Sequence, residues 1–278
     1  MRIARFSTGG DPKYGFVQSD GGREYLAVVA GDPLFMKAVP TGERVWLDDA
    51  GTNDGSDSAY DGSANDAAPP VRLLAPVIPR SKVVCVGLNY LDHIREMGHD
   101  EPDAPVLFLK PNTAVVGPDD PIVLPDWTEE ASYEVELAVV IGRICKDVSE
   151  ENAMQYVVGF TVGNDVTARD AQRADGQWAR AKGFDSACPL GPWIETEFDY
   201  EDAEIRSLVN GQVKQNSNIN QMLFGVPYLV SYVSRAMTLL PGDVILTGTP
   251  AGVGRIDVGD VVECQIAGIG TLRNPVLR

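Results

Sequence analysis

Apolar runs rich in Val, Ile and Leu, cut by glycine and proline, set the pattern of this chain. Lys82-Val-Val-Cys-Val-Gly87, Val106-Leu-Phe-Leu109, Ile122-Val-Leu124 and Val244-Ile-Leu-Thr247 predict strands, as do the longer runs Tyr133–Ile141 and Tyr156–Val162. Nearer the start, Tyr14-Gly-Phe-Val17 and Glu24-Tyr-Leu-Ala-Val-Val-Ala30 predict short strands in a small β-rich region spanning residues 1–70. Leu223, Val226, Leu229, Val230 and Val233 fall at helical spacing and predict a helix over Met222–Met237. It stops near the turn signal Pro241-Gly242-Asp243. A second helix is expected over Ser149–Tyr156, with Ser149 as N-cap and Asn152 leaving the capping box incomplete. Strands outnumber helices and do not alternate with them. The expected class is therefore α+β, mostly β, with a main domain over residues 71–278.

Two charges interrupt this pattern where it is most apolar. Glu134 and Glu136 lie two apart in the run Tyr133-Glu-Val-Glu-Leu-Ala-Val-Val-Ile141, and on a strand that spacing puts both side chains on one face. Crowded carboxylates in an apolar setting are costly unless a cation neutralises them. Asp165 follows the next apolar run, in Gly163-Asn-Asp-Val-Thr167. Three carboxylates without nearby Cys or His form a hard-oxygen set that favours Mg²⁺, Mn²⁺ or Ca²⁺ over zinc.

Other candidates are open on spacing alone. His93 and Glu96 can share a helix face, as a water-activating pair or as a surface ion pair. Arg169 offers a planar fork to a carboxylate, or a structural bridge to Asp170 or Asp175. Lys182, beside Gly183, suits either close approach to a ligand or an exposed turn. Gly248-Thr-Pro-Ala-Gly-Val-Gly254 matches neither GxGxxG nor GxxxxGK[ST], which argues against a dinucleotide site. A tight loop presenting Thr249 and backbone amides to a ligand fits better.

Charge and composition narrow the partners. A net charge of −17 argues against nucleic acid. Six acids fall in the glycine-rich segment 48–66, which has no Lys or Arg. That segment reads as a solvated linker, since its acids miss the spacing of a calcium loop. No apolar stretch reaches membrane-spanning length, and Met-Arg-Ile-Ala-Arg-Phe lacks the core of a signal peptide. Cys85, Cys145, Cys188 and Cys264 are scattered and read as buried thiols in a reducing cytoplasm, although spacing alone leaves a disulfide open.

Taken in order, Val84-Cys-Val-Gly-Leu-Asn-Tyr-Leu-Asp-His93, Phe108-Leu-Lys-Pro111, Tyr133–Gly142, Gly163–Asp170, Asp175–Asp185 and Leu246–Gly254 resemble the fumarylacetoacetate hydrolase family. The resemblance covers roughly residues 71–278. It implies a mixed β-roll, usually a homodimer, with one divalent metal per subunit, often Mg²⁺. It implies Glu134, Glu136 and Asp165 as metal ligands and His93 with Glu96 as the water-activating dyad. Lys182 would stabilise enolate or carboxylate charge, and Arg169, Gln172 and Thr249 would contact substrate. The implied activity is C–C cleavage of a 2-oxo acid, by acylpyruvate hydrolysis or oxaloacetate-type decarboxylation. A 2-hydroxyhepta-2,4-diene-1,7-dioate isomerase of aromatic catabolism and a non-catalytic metal- or carboxylate-binding protein are the alternatives.

Overall fold

The computed structural model describes residues 1–49, 70–98 and 100–278. His99 and all but the first two positions of the acidic segment 48–66 lie outside the described residues. The apolar runs become strands of one large mixed sheet. Its spatial order is Val39–Trp46, Arg23–Ala30, Lys13–Asp20, Arg2–Ser7, Cys188–Glu195, Val157–Asn164, Val135–Ile141, Val244–Leu246, Val83–Gly87 and Val106–Lys110. Neighbours along this path are antiparallel except Val244–Leu246 against Val83–Gly87. The N-terminal strands join the rest through Arg2 opposite Glu195 and Ile3 opposite Ile194. They also keep a small core of their own, around Phe6, Leu26 and Val28.

A second sheet, ordered Gln212–Asn218, Glu204–Val209, Val261–Ile266, Gly270–Leu277 and Ile122–Val123, packs against the centre of the first. That packing explains why Val135–Ile141 is buried at every position and shows no in–out alternation: both of its faces are covered. A three-stranded sheet of Thr167–Ala168, Ala131–Tyr133 and Gly254–Ile256 sits beside them. The fold is mostly strand with few helices, in agreement with the expected class.

Four α-helices lie among the described residues: α1 (Leu91–Glu96), α2 (Arg169–Ala174), α3 (Ala179–Gly183) and α4 (Val226–Ala236). Helix α4 buries Val226, Leu229, Val230 and Val233, the predicted apolar face. It begins later than Met222 because Ile219–Gln221 forms a 3-10 turn and Pro227 occupies the first helical turn. The expected helix after Ser149 is a 3-10 segment, Glu150–Tyr156. Ser149 does not cap its backbone; its Oγ instead accepts from Asn152 Nδ2 at 3.0 Å.

The predicted strand Tyr133–Ile141 is broken at Glu134. Ala131–Tyr133 belongs to the three-stranded sheet and Val135–Ile141 to the large one, so the chain changes sheets at the first glutamate. Side chains satisfy the backbone there: Glu134 N–H donates to Asn164 Oδ1 at 2.9 Å and Val135 N–H to Gln215 Oε1 at 3.1 Å. All four cysteines are free and buried. No helix among the described residues is long and apolar enough to cross a membrane.

Candidate metal centre and active site

Sheet register brings the three acids together. Val135 lies opposite Asn164, so the next residue on each side sets Glu134 beside Asp165. Asp165 N–H donates to the Glu134 carbonyl at 2.9 Å and locks that juxtaposition. Glu136, two residues along, still faces the same way despite the break. One carboxylate oxygen from each of Glu134, Glu136 and Asp165 lies within 4.8 Å of the others, and all three residues are buried.

Cations surround two of the three. Lys182 Nζ contacts Glu134 Oε2 at 2.9 Å, Asp165 Oδ2 at 2.6 Å and Thr167 Oγ1 at 2.8 Å. It is 3 % exposed, which rules out the exposed turn. Arg169 pairs with Glu134 Oε1, accompanied by Nε to Ser132 Oγ at 3.0 Å and Nη1 to Gln172 Oε1 at 2.9 Å. It does not bridge to Asp170, which is held by Thr128 and the Glu129 amide, or to Asp175, which is held by Arg180. Lys110 lies under the site with Nζ 2.6 Å from Asp165 Oδ1, a contact of charges without hydrogen-bond alignment. Its ammonium also donates to the carbonyls of Val166, Lys182 and Ala187.

Glu136 stands apart. Among the described residues its carboxylate has no ion pair, and it accepts from Gly248 N–H at 2.7 Å. Burial, reinforced by the Asp165 and Glu134 charges, pushes its carboxyl well above the usual range. Burial also acts to raise Glu134, but Arg169 and Lys182 outweigh it and hold that carboxyl well below its ordinary value. For Lys182, burial opposes the charge, yet Asp165 and Glu134 raise the ammonium to about 12. A buried carboxylate short of a positive partner, next to two more acids, fits a hard divalent ion held by Glu134, Glu136 and Asp165.

The His93–Glu96 pair sits on α1 above these acids. His93 Nδ1 lies 3.2 Å from Glu96 Oε2, and His93 lines the same cavity as the carboxylates. Glu96 is also held by the Gly252 amide, at 3.2 Å from each oxygen. Asp92 Oδ2 accepts from Ser217 Oγ at 2.6 Å, and Asn89 ties the root of the helix to the Thr247 and Phe224 carbonyls. The pair is therefore docked over the cavity rather than standing alone on the surface. Gly252 itself has φ +95°, and a Cβ there would meet the Lys214 carbonyl oxygen at 2.3 Å. The glycine loop was expected to turn its amides toward a ligand; those of Gly248 and Gly252 go to Glu136 and Glu96 instead.

The cavity has a volume of about 170 Å³. His93, Arg169, Gln172, Lys182 and Thr249 line it with the three acids, while Phe108, Trp178 and Met97 form an apolar wall. Phe108 and Trp178 meet edge to face at 5.3 Å. Every predicted site residue except Glu96 lines the cavity, and Glu96 touches it through His93. Lys110, Asn89 and Gln215 carry structural weight here without having been assigned a role from sequence. Lys110 offered one signal, a lysine closing an apolar run before proline. Gln215, in the polar stretch Lys214-Gln-Asn-Ser217, offered none.

Comparison with known proteins follows the same lines. Residues 82–277 match the family model described as fumarylacetoacetate (FAA) hydrolase C-terminal, and residues 1–76 match one described as Rv2993c-like, N-terminal. The chain is 57 % identical over 211 residues to protein Rv2993c of Mycobacterium tuberculosis, covering 75 % of this chain and 79 % of that one. It is 40 % identical to the mitochondrial oxaloacetate tautomerase fahd2 of Xenopus laevis, covering 100 % of this chain and 90 % of the relative. A structure of 2-hydroxyhepta-2,4-diene-1,7-dioate isomerase from Mycobacterium marinum superposes with a TM-score of 0.85 at 45 % identity, covering 100 % and 98 % of the two chains. Fumarylpyruvate hydrolase from Pseudomonas aeruginosa, solved with Mn²⁺ and pyruvate, gives 0.68 at 37 % identity over 73 % of this chain and 97 % of that one.

Proposed function

The chain belongs to the fumarylacetoacetate hydrolase family, and from that premise we propose that it is a divalent-metal-dependent enzyme cleaving a C–C bond of a small 2-oxo acid. The substrate class is an acylpyruvate or an oxaloacetate-type acid. One observation carries the reading: a buried triad of carboxylates shares its cavity with a histidine that a glutamate orients. The Mn²⁺ and pyruvate in the Pseudomonas aeruginosa hydrolase support it. Glu134, Glu136 and Asp165 would hold the ion, which supplies Lewis-acid stabilisation of developing enolate charge when bound.

The remaining chemistry belongs to the chain's own side chains. Arg169, steadied by Ser132 and Gln172, presents its guanidinium to the substrate carboxylate. In hydrolysis, His93 takes a proton from water as the oxygen adds to the distal carbonyl, with Glu96 holding the imidazole. The C–C bond then breaks with its electron pair passing to the pyruvyl fragment as an enolate. The Lys182 ammonium lies close enough to share that charge. Decarboxylation needs no attacking water, so it relies on Lys182 and Arg169 more than on His93. Phe108, Trp178 and Met97 supply apolar surface to the cavity lining.

A second reading is a proton shift between carbon and oxygen, as in an isomerase or tautomerase. The names of the Mycobacterium marinum and Xenopus laevis proteins favour it, and His93 is the group able to carry that proton. A screen over acylpyruvates, oxaloacetate and the heptadienedioate, with Mg²⁺ or Mn²⁺ and EDTA controls, separates these outcomes. Turnover of at least one, abolished by EDTA, is expected. Bound metal with no turnover of any would leave a binding protein. Glu136→Ala should lose metal and activity together, and His93→Ala should lose hydrolysis more severely than decarboxylation.

A further inference from the structure

The charged donors of the cavity add up to a place for one carboxylate. Lys182 has three N–H protons, and Glu134, Asp165 and Thr167 take all of them. It offers the cavity charge but no free proton. Arg169 has five N–H donors and spends one each on Ser132, Gln172 and Glu134. The two that remain match a single carboxylate. Gln172 is tied to Arg169 through its Oε1, so its amide serves the same place. His93 turns Nδ1 to Glu96, and an imidazole acting as base keeps a lone pair on Nε2, which repels an anion. Among the described residues, no other basic side chain lines the cavity.

The apolar wall carries no charge at all. Gly87, Leu88, Met97, Phe108 and Trp178 line it. The Trp178 ring meets Phe108 edge to face at 5.3 Å and lies against Gly87, where a Cβ would touch it at 3.4 Å. Leu88 has φ +54°, in the left-handed region that favours glycine. Strain of this kind at a residue lining a cavity points to a side chain that the site uses. A carboxylate pressed against this wall would lose its water and gain no partner. An alkyl group there would bury apolar surface and be favoured.

We propose that the wall selects the acyl group, so that the chain takes a monocarboxylic acylpyruvate with a short, uncharged acyl group and rejects a second carboxylate. This rests on the proposed 2-oxo acid reading and narrows its substrate class. Oxaloacetate and the heptadienedioate, which appear in the names of two relatives, each carry the second carboxylate that this wall disfavours.

Calorimetric titration of pyruvate, 2-oxoglutarate and 5-methyl-2-oxohexanoate into the Mg²⁺-supplemented full chain tests the selection. The last two match in shape, an isopropyl group replacing the distal carboxylate, and pyruvate lacks the distal group altogether. Wild type should prefer the isopropyl compound over 2-oxoglutarate by about tenfold or more. Leu88→Arg puts a guanidinium on the wall and should shrink or reverse that preference. Met97 is 54 % exposed, so Met97→Arg supplies the same charge if Leu88→Arg does not fold. Pyruvate, titrated alongside, normalises each variant for any change at the metal end. A smaller preference in wild type, none, or the reverse would overturn the proposal, as would a preference that neither arginine variant shifts. Failure of all three ligands to bind wild type would instead sink the 2-oxo acid reading itself, a result visible before any substitution is made.

Discussion

Replacing Lys182 with Met keeps most of the stem and removes the ammonium that contacts Glu134 Oε2, Asp165 Oδ2 and Thr167 Oγ1. Lys182 is 3 % exposed and Asp165 0 %, so solvent does not step in. The cluster would then hold Glu134, Glu136 and Asp165 against only Lys110 and Arg169. Deleting one partner of a buried ion pair costs ~3–5 kcal/mol. For a chain of this length that lowers Tm by roughly 6–20 °C in metal-free buffer. A divalent cation seeks the same oxygens that the ammonium holds. In wild type it must share or displace Lys182; in the variant it need not. Saturating Mn²⁺ should therefore raise Tm more in the variant than in wild type. At a hundredfold excess over Kd the gain is about 2.7 kcal/mol, and each tenfold tightening of Kd adds about 1.4 kcal/mol. Thermal unfolding followed by circular dichroism, in EDTA and across a Mn²⁺ titration, reads both effects. A Mn²⁺-induced rise equal to or smaller than that of wild type would refute the competition. Little change in EDTA would refute the energetic weight given to the ammonium.

Gly252→Ala places a Cβ at 2.3 Å from the Lys214 carbonyl oxygen, in a backbone with φ +95°. The strain is of order 1–3 kcal/mol. Relieving it moves the amide that holds Glu96, so kcat should fall while Mn²⁺ affinity stays, and a matched loss of both would count against the latch. Asp243→Asn tests a buried carboxylate remote from the cavity, which accepts from Ser81, Lys82 Nζ and the Leu240 amide. Burial acts to raise its pKa, but the bonds from Lys82, Leu240 and Ser81 prevail and lower it. A depressed native pKa gives stability that is present above the unfolded carboxylate value of about 3.9 and is lost as pH falls through the native one. The variant should be less stable than wild type by about 1–3 kcal/mol at pH 7, with the gap closing in more acidic buffer. Urea unfolding at pH 7 and pH 3 checks this, and a gap of the same size at both would contradict the assignment.

How much of this was written legibly in the chain depended on whether a residue's role was local. The Glu134–Glu136 spacing was readable because a period of two survives even where the strand breaks. Asp165 was readable because it ends the neighbouring apolar run, and antiparallel pairing returns it beside Glu134. Arg169 was left between a fork to a carboxylate near the metal and a bridge to Asp170 or Asp175, and the carboxylate it meets, Glu134, lies 35 residues earlier across a sheet. Lys110 meets carbonyls 56, 72 and 77 residues away, and Gln215 meets Val135 80 residues back. No short-range period encodes such contacts. The helix expected after Ser149 is present over Glu150–Tyr156, of the 3-10 type and without a side-chain cap, the Ser149 hydroxyl accepting from the Asn152 amide.

Charge balance links the site to the reaction proposed for it. Glu134, Glu136 and Asp165 stand against Lys110, Lys182 and Arg169, three anions to three cations. A divalent ion added to that set leaves two positive charges uncompensated within a buried cavity. A monocarboxylic acylpyruvate brings one negative charge in its keto form and two once it becomes an enolate. Only the second state restores balance. Two charges about 4 Å apart at an effective dielectric near 20 interact by ~4 kcal/mol, so the difference between one and two ligand charges is large on the scale of catalysis. Preference for the more charged state is the differential binding that accelerates a reaction, since it grows as charge moves onto the enolate oxygen. Hydrolysis, decarboxylation and tautomerisation share the movement of charge onto that enolate oxygen, although oxaloacetate already carries two charges in its keto form. Discrimination among them then falls to the groups that handle protons, His93 with Glu96 first among them.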